Sequence, residues 1–203
     1  AFSKADKAFF NTWLDFTDEN AKYMKRVRPI IGQPMVGRCD GTSAIVEDEG
    51  YIFLFNPNYR VMKAEFTLDA SIGLSKGDAF TLQELYPEEG RYIAAPGKGV
   101  WGYGDDVALE MGGISAVVLK IEPAQPKRAK PILFGAVGKV RASRGTLALT
   151  GVTGRVGDAR ALTVLLPGEQ AIKKVTVNGH KTVFKQAGSR VTCNVTFAGE
   201  SFT

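Results

Sequence analysis

One histidine, two cysteines and a scatter of carboxylates limit the chemistry this chain can perform. His180 follows Asn178-Gly179, a dipeptide that favours tight hairpin turns. Ser/His/Asp or Cys/His catalysis would need that same imidazole beside a nucleophile, and no nucleophile elbow is present. His180 therefore reads as a solvated turn residue. Cys39 and Cys193 stand near opposite ends, so no zinc site of ordinary spacing can be written, and we expect neither metal nor cofactor. Sequence leaves open whether the two cysteines pair. Gly151, Gly154 and Gly157 in "GVTGRVG" are only loosely like a phosphate loop. No Gly-Lys-Ser/Thr follows them and strand patterns flank them, so they read as a turn.

Glycoside hydrolysis asks only for a pair of carboxylates. Asp105-Asp106 follow a glycine-rich stretch, Glu88-Glu89 sit in a turn, and Glu47, Asp48 and Glu49 surround another. Adjacent acids at turns are usually solvated, and consecutive strand positions face opposite ways. We expect none of these pairs to be catalytic. The aromatics are the better lead. Trp101 and Tyr103 stand among Gly99, Gly102 and Gly104, with Tyr92 nearby. Small neighbours would leave such rings open to stack on a sugar. The plainer reading, which we favour, is that Trp101 plugs one end of a β-sandwich.

The elements that must position these residues follow from composition and pattern. The 203 residues, 44% apolar and 23% charged, suffice for one large domain or two small ones. Uninterrupted apolar runs such as 51–55 and 116–119 are far too short to span a bilayer. The net charge of +5 is dispersed, and its densest cluster, Lys127, Arg128 and Lys130, is bracketed by prolines. That composition suits a stiff connector better than a nucleic-acid groove. No nucleic-acid partner is expected. The chain opens on Ala1 without a signal segment and reads as a trimmed or mature product.

Phe9, Trp13, Phe16, Asn20, Met24 and Val27 recur at three- and four-residue steps, which predicts a helix over residues 4–28, with a break near Thr17 as the alternative. Pro29 closes the pattern. Gly- and Pro-punctuated strands follow near 35–39, 43–48, 51–56, 60–69, 79–86, 107–111 and 114–122. In the run 61–69, Met62, Ala64, Phe66 and Leu68 alternate with Lys63, Glu65, Thr67 and Asp69, the period of a strand with one wet face. The run 51–55 reads as buried on nearly both faces, and Asn56-Pro57-Asn58 predicts a hairpin joining the two. Residues 92–106 form the longest irregular segment, and 123–131 read as a linker. Further strands are predicted near 136–141, 146–150, 161–166, 172–178, 181–185 and 190–197, with hairpins at Asn178-Gly179 and at 186–189.

The succession "FFNTWLDFTDENAKYMKRVRPIIGQPMVGRCDGTSAI", "GYIFLFNPN", "FTLDASIGL", "ELYPEEG" and "DDVALEMGGISAVVLKIEPA" resembles the end of a barrel-type glycoside hydrolase. The likeness is to α-galactosidase- and α-glucosidase-like enzymes, in which a last barrel helix runs into a C-terminal β-sandwich. It covers roughly residues 5–124; residues 132–203 match only as a further β-module. The resemblance implies catalytic carboxylates on barrel strands upstream of Ala1, so no family catalytic residue is carried onto this chain.

The expected fold is mainly β, an N-terminal helix followed by two antiparallel β-sandwich-like modules. Its parts are a helical segment 1–31 (the last helix of a barrel not included here), a sandwich 32–123, a linker 124–131 and a small β-module 132–203. The expected role is that of a non-catalytic accessory region, partnered by an upstream catalytic barrel and secreted or periplasmic. One alternative is a carbohydrate-binding module using Trp101, Tyr103 and Tyr92; another is a small self-contained hydrolase using Asp105 or Asp106.

Overall fold

The computed structural model describes residues 2–32, 35–75, 77, 79–124 and 130–198. Lys127, Arg128 and most of the expected linker lie outside the described residues. The chain is mainly β, with one N-terminal helix followed by several sheets. The helical elements are α1 (Lys4–Glu19) and α2 (Ala21–Met24). The first strands are β1 (Val27–Pro29), β2 (Asp40–Val46), β3 (Glu49–Asn56) and β4 (Met62–Thr67). They are followed by β5 (Phe80–Tyr86), β6 (Tyr92–Ile93), β7 (Asp106–Met111) and β8 (Ser115–Pro123). Next come β9 (Ile132–Phe134), β10 (Val137–Ser143), β11 (Thr146–Thr153) and β12 (Ala159–Leu165). The last are β13 (Lys174–Val177), β14 (His180–Thr182), β15 (Phe184–Ala187) and β16 (Arg190–Thr196). Two compact units form, one from residues 1–77 and 104–116, the other from 78–103 and 117–203.

In the first unit, α1 begins at a capping box in which the Ser3 hydroxyl accepts from the Asp6 N–H and the Asp6 carboxylate accepts from the Ser3 N–H. The predicted helix over 4–28 is shorter in fact. It breaks at Asn20 rather than near Thr17, and residues 27–29 join β2 as a strand. Asn20 and Tyr23 explain the break, because each serves the sheet instead of a longer helix. Asn20 accepts from the Tyr51 hydroxyl at 2.7 Å, and the buried Tyr23 donates to Glu49 at 2.6 Å.

The predicted hairpin between 51–55 and 61–69 does not form. β3 pairs with β2 through a turn whose Glu47 and Asp48 both hold positive φ, while β4 pairs with β7 in a separate ladder. The buried Asn56 makes the difference. Its amide donates to the carbonyls of Arg60, Met111 and Gly112, and its oxygen accepts from the Asn58 N–H. It acts as a bracket between β4 and β7 rather than as a turn residue. The two-faced pattern of β4 holds, with Ala64 and Phe66 buried and Lys63 and Glu65 exposed. No strand forms at 35–39, where Met35 accepts from the Arg38 N–H in a turn.

In the second unit, one sheet runs β8-β5-β6-β9-β12-β16-β15, and a smaller one runs β10-β11-β13-β14. The pairs β6–β9 and β11–β13 are parallel, interrupting an otherwise antiparallel order. Leu162 and Val164 of β12 and Val191 and Cys193 of β16 meet Leu147, Leu149, Val175 and Val177 of the smaller sheet in one core. The alternation of β12 and β16 thus puts one face of each strand into a sandwich and leaves the other outside. The hairpin at Asn178-Gly179 forms as expected, with φ of 50° and 86° at the two turn residues. The short strands β6 and β9, absent from the sequence reading, build the middle of the large sheet.

Candidate functional site

Two places in the second unit gather polar groups. The first is the loop after β5. Glu84 shares the alternation of Phe80 and Leu82, and its side chain is fully buried. Its carboxylate accepts from the Glu88 N–H at 2.8 Å and from the Arg91 guanidinium, while its own backbone N–H donates to the Arg91 carbonyl. Burial pushes the Glu84 carboxyl up, opposed by the Glu88 N–H and by Arg91. Glu88 in turn takes a bidentate pair from Arg160 of β12, at 2.8 and 2.9 Å, and this holds its carboxyl below the usual carboxylate range. Arg160 also donates to Asp158 at 2.9 Å. A chain of alternating charge therefore ties the 84–91 loop to β12, and its carboxylates face guanidinium groups rather than a reaction space.

The other acids are similarly placed. Asp48 accepts from the Ser75 N–H and hydroxyl, and Asp106 accepts from the Thr67 hydroxyl at 2.7 Å. Asp105 gives its backbone carbonyl to the Leu68 N–H. His180 is exposed at the end of its hairpin. Cys39 and Cys193 are both buried and free, one in each unit, and burial pushes each thiol up. Among the described residues, no group of three or more His, Cys, Asp or Glu side chains could hold a metal ion. Nor is any helix among them long and apolar enough to cross a membrane.

The aromatic trio is split in character. Trp101 is 4% exposed, its backbone exchanges two hydrogen bonds with Phe80, and its indole N–H donates to the Ile93 carbonyl at 2.8 Å. A ring so enclosed has no open face for a sugar. Tyr92 is half-buried, edge-on to Phe134 at 6.0 Å between centroids, and Tyr103 is 42% exposed. The glycines beside Trp101 serve tight turns instead, with φ of 71° at Gly97, 96° at Gly99 and 85° at Gly104.

The second polar place is a cleft of about 600 Å³ on the outer face of β12, β16 and β15, bounded by the 94–99 loop. Cross-strand register puts Thr163, Thr192 and Lys185 in one row. The two threonine hydroxyls lie 3.3 Å apart. Ala161, Ala187 and Arg190 project to the same side by the period of two. The 94–99 loop is drawn into a closed turn, with Lys98 and Gly99 N–H groups both donating to the Ala95 carbonyl and the Ala95 N–H donating back to Gly99. Among the described residues, the charged side chains lining the cleft are Lys98, Lys185 and Arg190, and the Glu169 carboxylate lies nearby beside Gly188. Sequence reasoning missed this place because the 94–99 loop lies far along the chain from the β15–β16 hairpin that carries Lys185 and Arg190.

No family model matches the sequence, and no curated protein matches it. Among solved structures, the chain is similar to a Bacillus halodurans C-125 protein that carries the provisional name alpha-N-acetylgalactosaminidase. The identity is 13% and the TM-score 0.35, and the likeness takes in 47% of this chain and 21% of the other. A likeness that slight carries no argument about what this chain does.

Proposed function

We propose that this chain is a non-catalytic accessory region of a carbohydrate-active enzyme, its parent a glycoside hydrolase, and that it stabilises or positions the catalytic domain. The observation that carries the reading is α1. None of its residues is buried, and Phe9, Phe10 and Leu14 are each more than half exposed. The end of the helix engages the sheet, where Phe16 meets Tyr51 edge-on at 4.8 Å between ring centroids. Covering the exposed half of each of these side chains would contribute about 1 kcal/mol, and a helix that leaves so much apolar surface in water suits one that packs on a neighbouring domain. The sequence resemblance to the junction between a barrel helix and a C-terminal sandwich gives that neighbour its class. The engagement of Glu84, Glu88, Asp48 and Asp106 with structural partners agrees with chemistry placed elsewhere.

The test is turnover of a panel of aryl glycosides by the natural polypeptide and by residues 1–203 alone. Turnover by the first and none by the second is expected. Turnover by residues 1–203 that disappears in an Asp105→Ala/Asp106→Ala variant would overturn the reading.

A further inference from the structure

We infer that the outer face of the smaller sheet is a docking surface for an anionic lipid bilayer. Residues 137–153 and 171–183, which supply β10, β11, β13 and β14, hold six Lys and Arg side chains and no Asp or Glu. Val140, Leu147, Leu149, Val175 and Val177 turn inward to the core. The period of two therefore sends Lys139, Arg141, Lys174 and Lys181 to the opposite face, and all four are exposed. Register fixes their spacing. Arg141 stands opposite Ala148, Ala148 opposite Thr176, and Thr176 opposite Lys181, so the first and last lie three strand spacings apart, about 14 Å. Lys139 and Lys174 lie two residues along their strands from that row, on opposite sides of it. Among the described residues, none of the four is held by an acidic partner. The acids that flank these segments in sequence are placed elsewhere, Glu169 beside Gly188 in the β15–β16 turn and Asp158 on Arg160.

The layout of these charges favours a bilayer over other polyanions. They spread over two dimensions, so a plane of negative charge meets all four at once, whereas a single polyanion strand follows one row. Between them stand Ala148 and the hydroxyls of Thr146, Thr150 and Thr176, which give bases or sugars no ring to stack on. The two hairpins of the sheet close in two-residue turns, at 144–145 and 178–179, too short to enter a nucleic-acid groove. Val183, two residues past Lys181 and 89% exposed, adds an apolar side chain at the sheet edge for the headgroup layer. Each Lys or Arg at an anionic bilayer strengthens binding about fivefold, and clusters of about four to eight are the size that holds a peripheral protein there. The accessory role does not enter into this surface, which the second unit carries by itself.

The experiment is co-sedimentation of the whole chain with vesicles of equimolar phosphatidylglycerol and phosphatidylcholine, and with vesicles of phosphatidylcholine alone. Binding to the first and not to the second is expected, and it should vanish at about 1 M salt, where the Debye length is about 3 Å. Lys139→Gln/Arg141→Gln/Lys174→Gln/Lys181→Gln should lose about a hundredfold or more in affinity. Lys4→Gln/Lys7→Gln/Lys25→Gln/Lys63→Gln removes the same net charge from the first unit and should lose less than about fivefold, the effect of one cation at the surface. Both variants change exposed side chains and should keep the parent's circular dichroism. Absence of binding to the anionic vesicles, equal binding to phosphatidylcholine alone, or equal losses in the two variants would overturn the surface. Loss of binding in Phe9→Ala/Phe10→Ala/Leu14→Ala with none in the four-residue sheet variant would move it to α1 and overturn it as well. Release of the chain from the vesicles by duplex DNA or by polygalacturonate, at an equal concentration of anionic groups, would overturn the lipid assignment.

Discussion

Replacing Arg160 by alanine should loosen the second unit by an amount that its geometry bounds. The guanidinium makes a bidentate pair with Glu88 at 2.8 and 2.9 Å and a further bond to Asp158 at 2.9 Å. Its side chain is 16% exposed and that of Glu88 27%, so the pair lies between a surface bridge and a buried one. Exposed pairs contribute up to about 1 kcal/mol and broken buried pairs cost about 3–5 kcal/mol. Arg91, 3.6 Å from the same carboxylate, would partly replace the lost charge and pulls the figure down. We expect a loss of about 2 kcal/mol, and a coupling of about 1–1.5 kcal/mol in a double-mutant cycle with Glu88→Gln. Urea unfolding is the assay, in a Trp13→Phe background so that Trp101 reports the second unit alone. At an ordinary slope the midpoint would fall by about 1 M. Because Arg160 holds the Glu88 carboxyl below its ordinary value, the pair's contribution is complete above that value and is lost as pH falls through the lowered one. The gap between parent and variant should therefore narrow in acid. A coupling below about 0.3 kcal/mol, within the error of additivity, or a gap that widens in acid, would refute the reasoning.

Asn56→Ala should cost about 1–3 kcal/mol, since it takes the amide donor from the buried carbonyl of Met111; thermal unfolding measures it. Trp101→Ala should cost about 3–5 kcal/mol in urea unfolding. In the parent chain, Trp101 emission should resist acrylamide quenching and ignore neutral sugars, whereas sugar-dependent quenching would restore the aromatic loop as a binding site. The triple change Phe9→Ala/Phe10→Ala/Leu14→Ala should shift the stability of residues 1–203 by no more than about 0.5 kcal/mol, because those side chains are exposed; a large loss in calorimetric melting would mean that α1 is covered within this chain.

What could be read from the sequence was the pattern carried by single elements. The alternation of β4, the Asn178-Gly179 turn and the apolar steps of α1 depend on residues close in sequence, so local rules suffice for them. Pairing was less accessible. Asn56-Pro57-Asn58 has turn chemistry, yet Asn56 spends its amide on Met111 and Gly112, more than fifty positions away. β6 and β9, of two and three residues, are too short to show a period. The polar network left a signal that went unread. Glu84 falls in step with Phe80 and Leu82, and Arg160 with Leu162 and Val164, so a charge stands on an apolar face in both strands. Such a charge must find a partner or pay a large desolvation cost. The cleft left no comparable trace, because the 94–99 loop reaches the hairpin of Lys185 and Arg190 only through the fold.

The central claim is that α1 packs against a catalytic domain of the same polypeptide, and the most direct measurement is the intact mass and sequence of that polypeptide from its source. A mass several times 21.9 kDa is expected, with a glycoside hydrolase barrel preceding Ala1. A natural polypeptide near 21.9 kDa would contradict it.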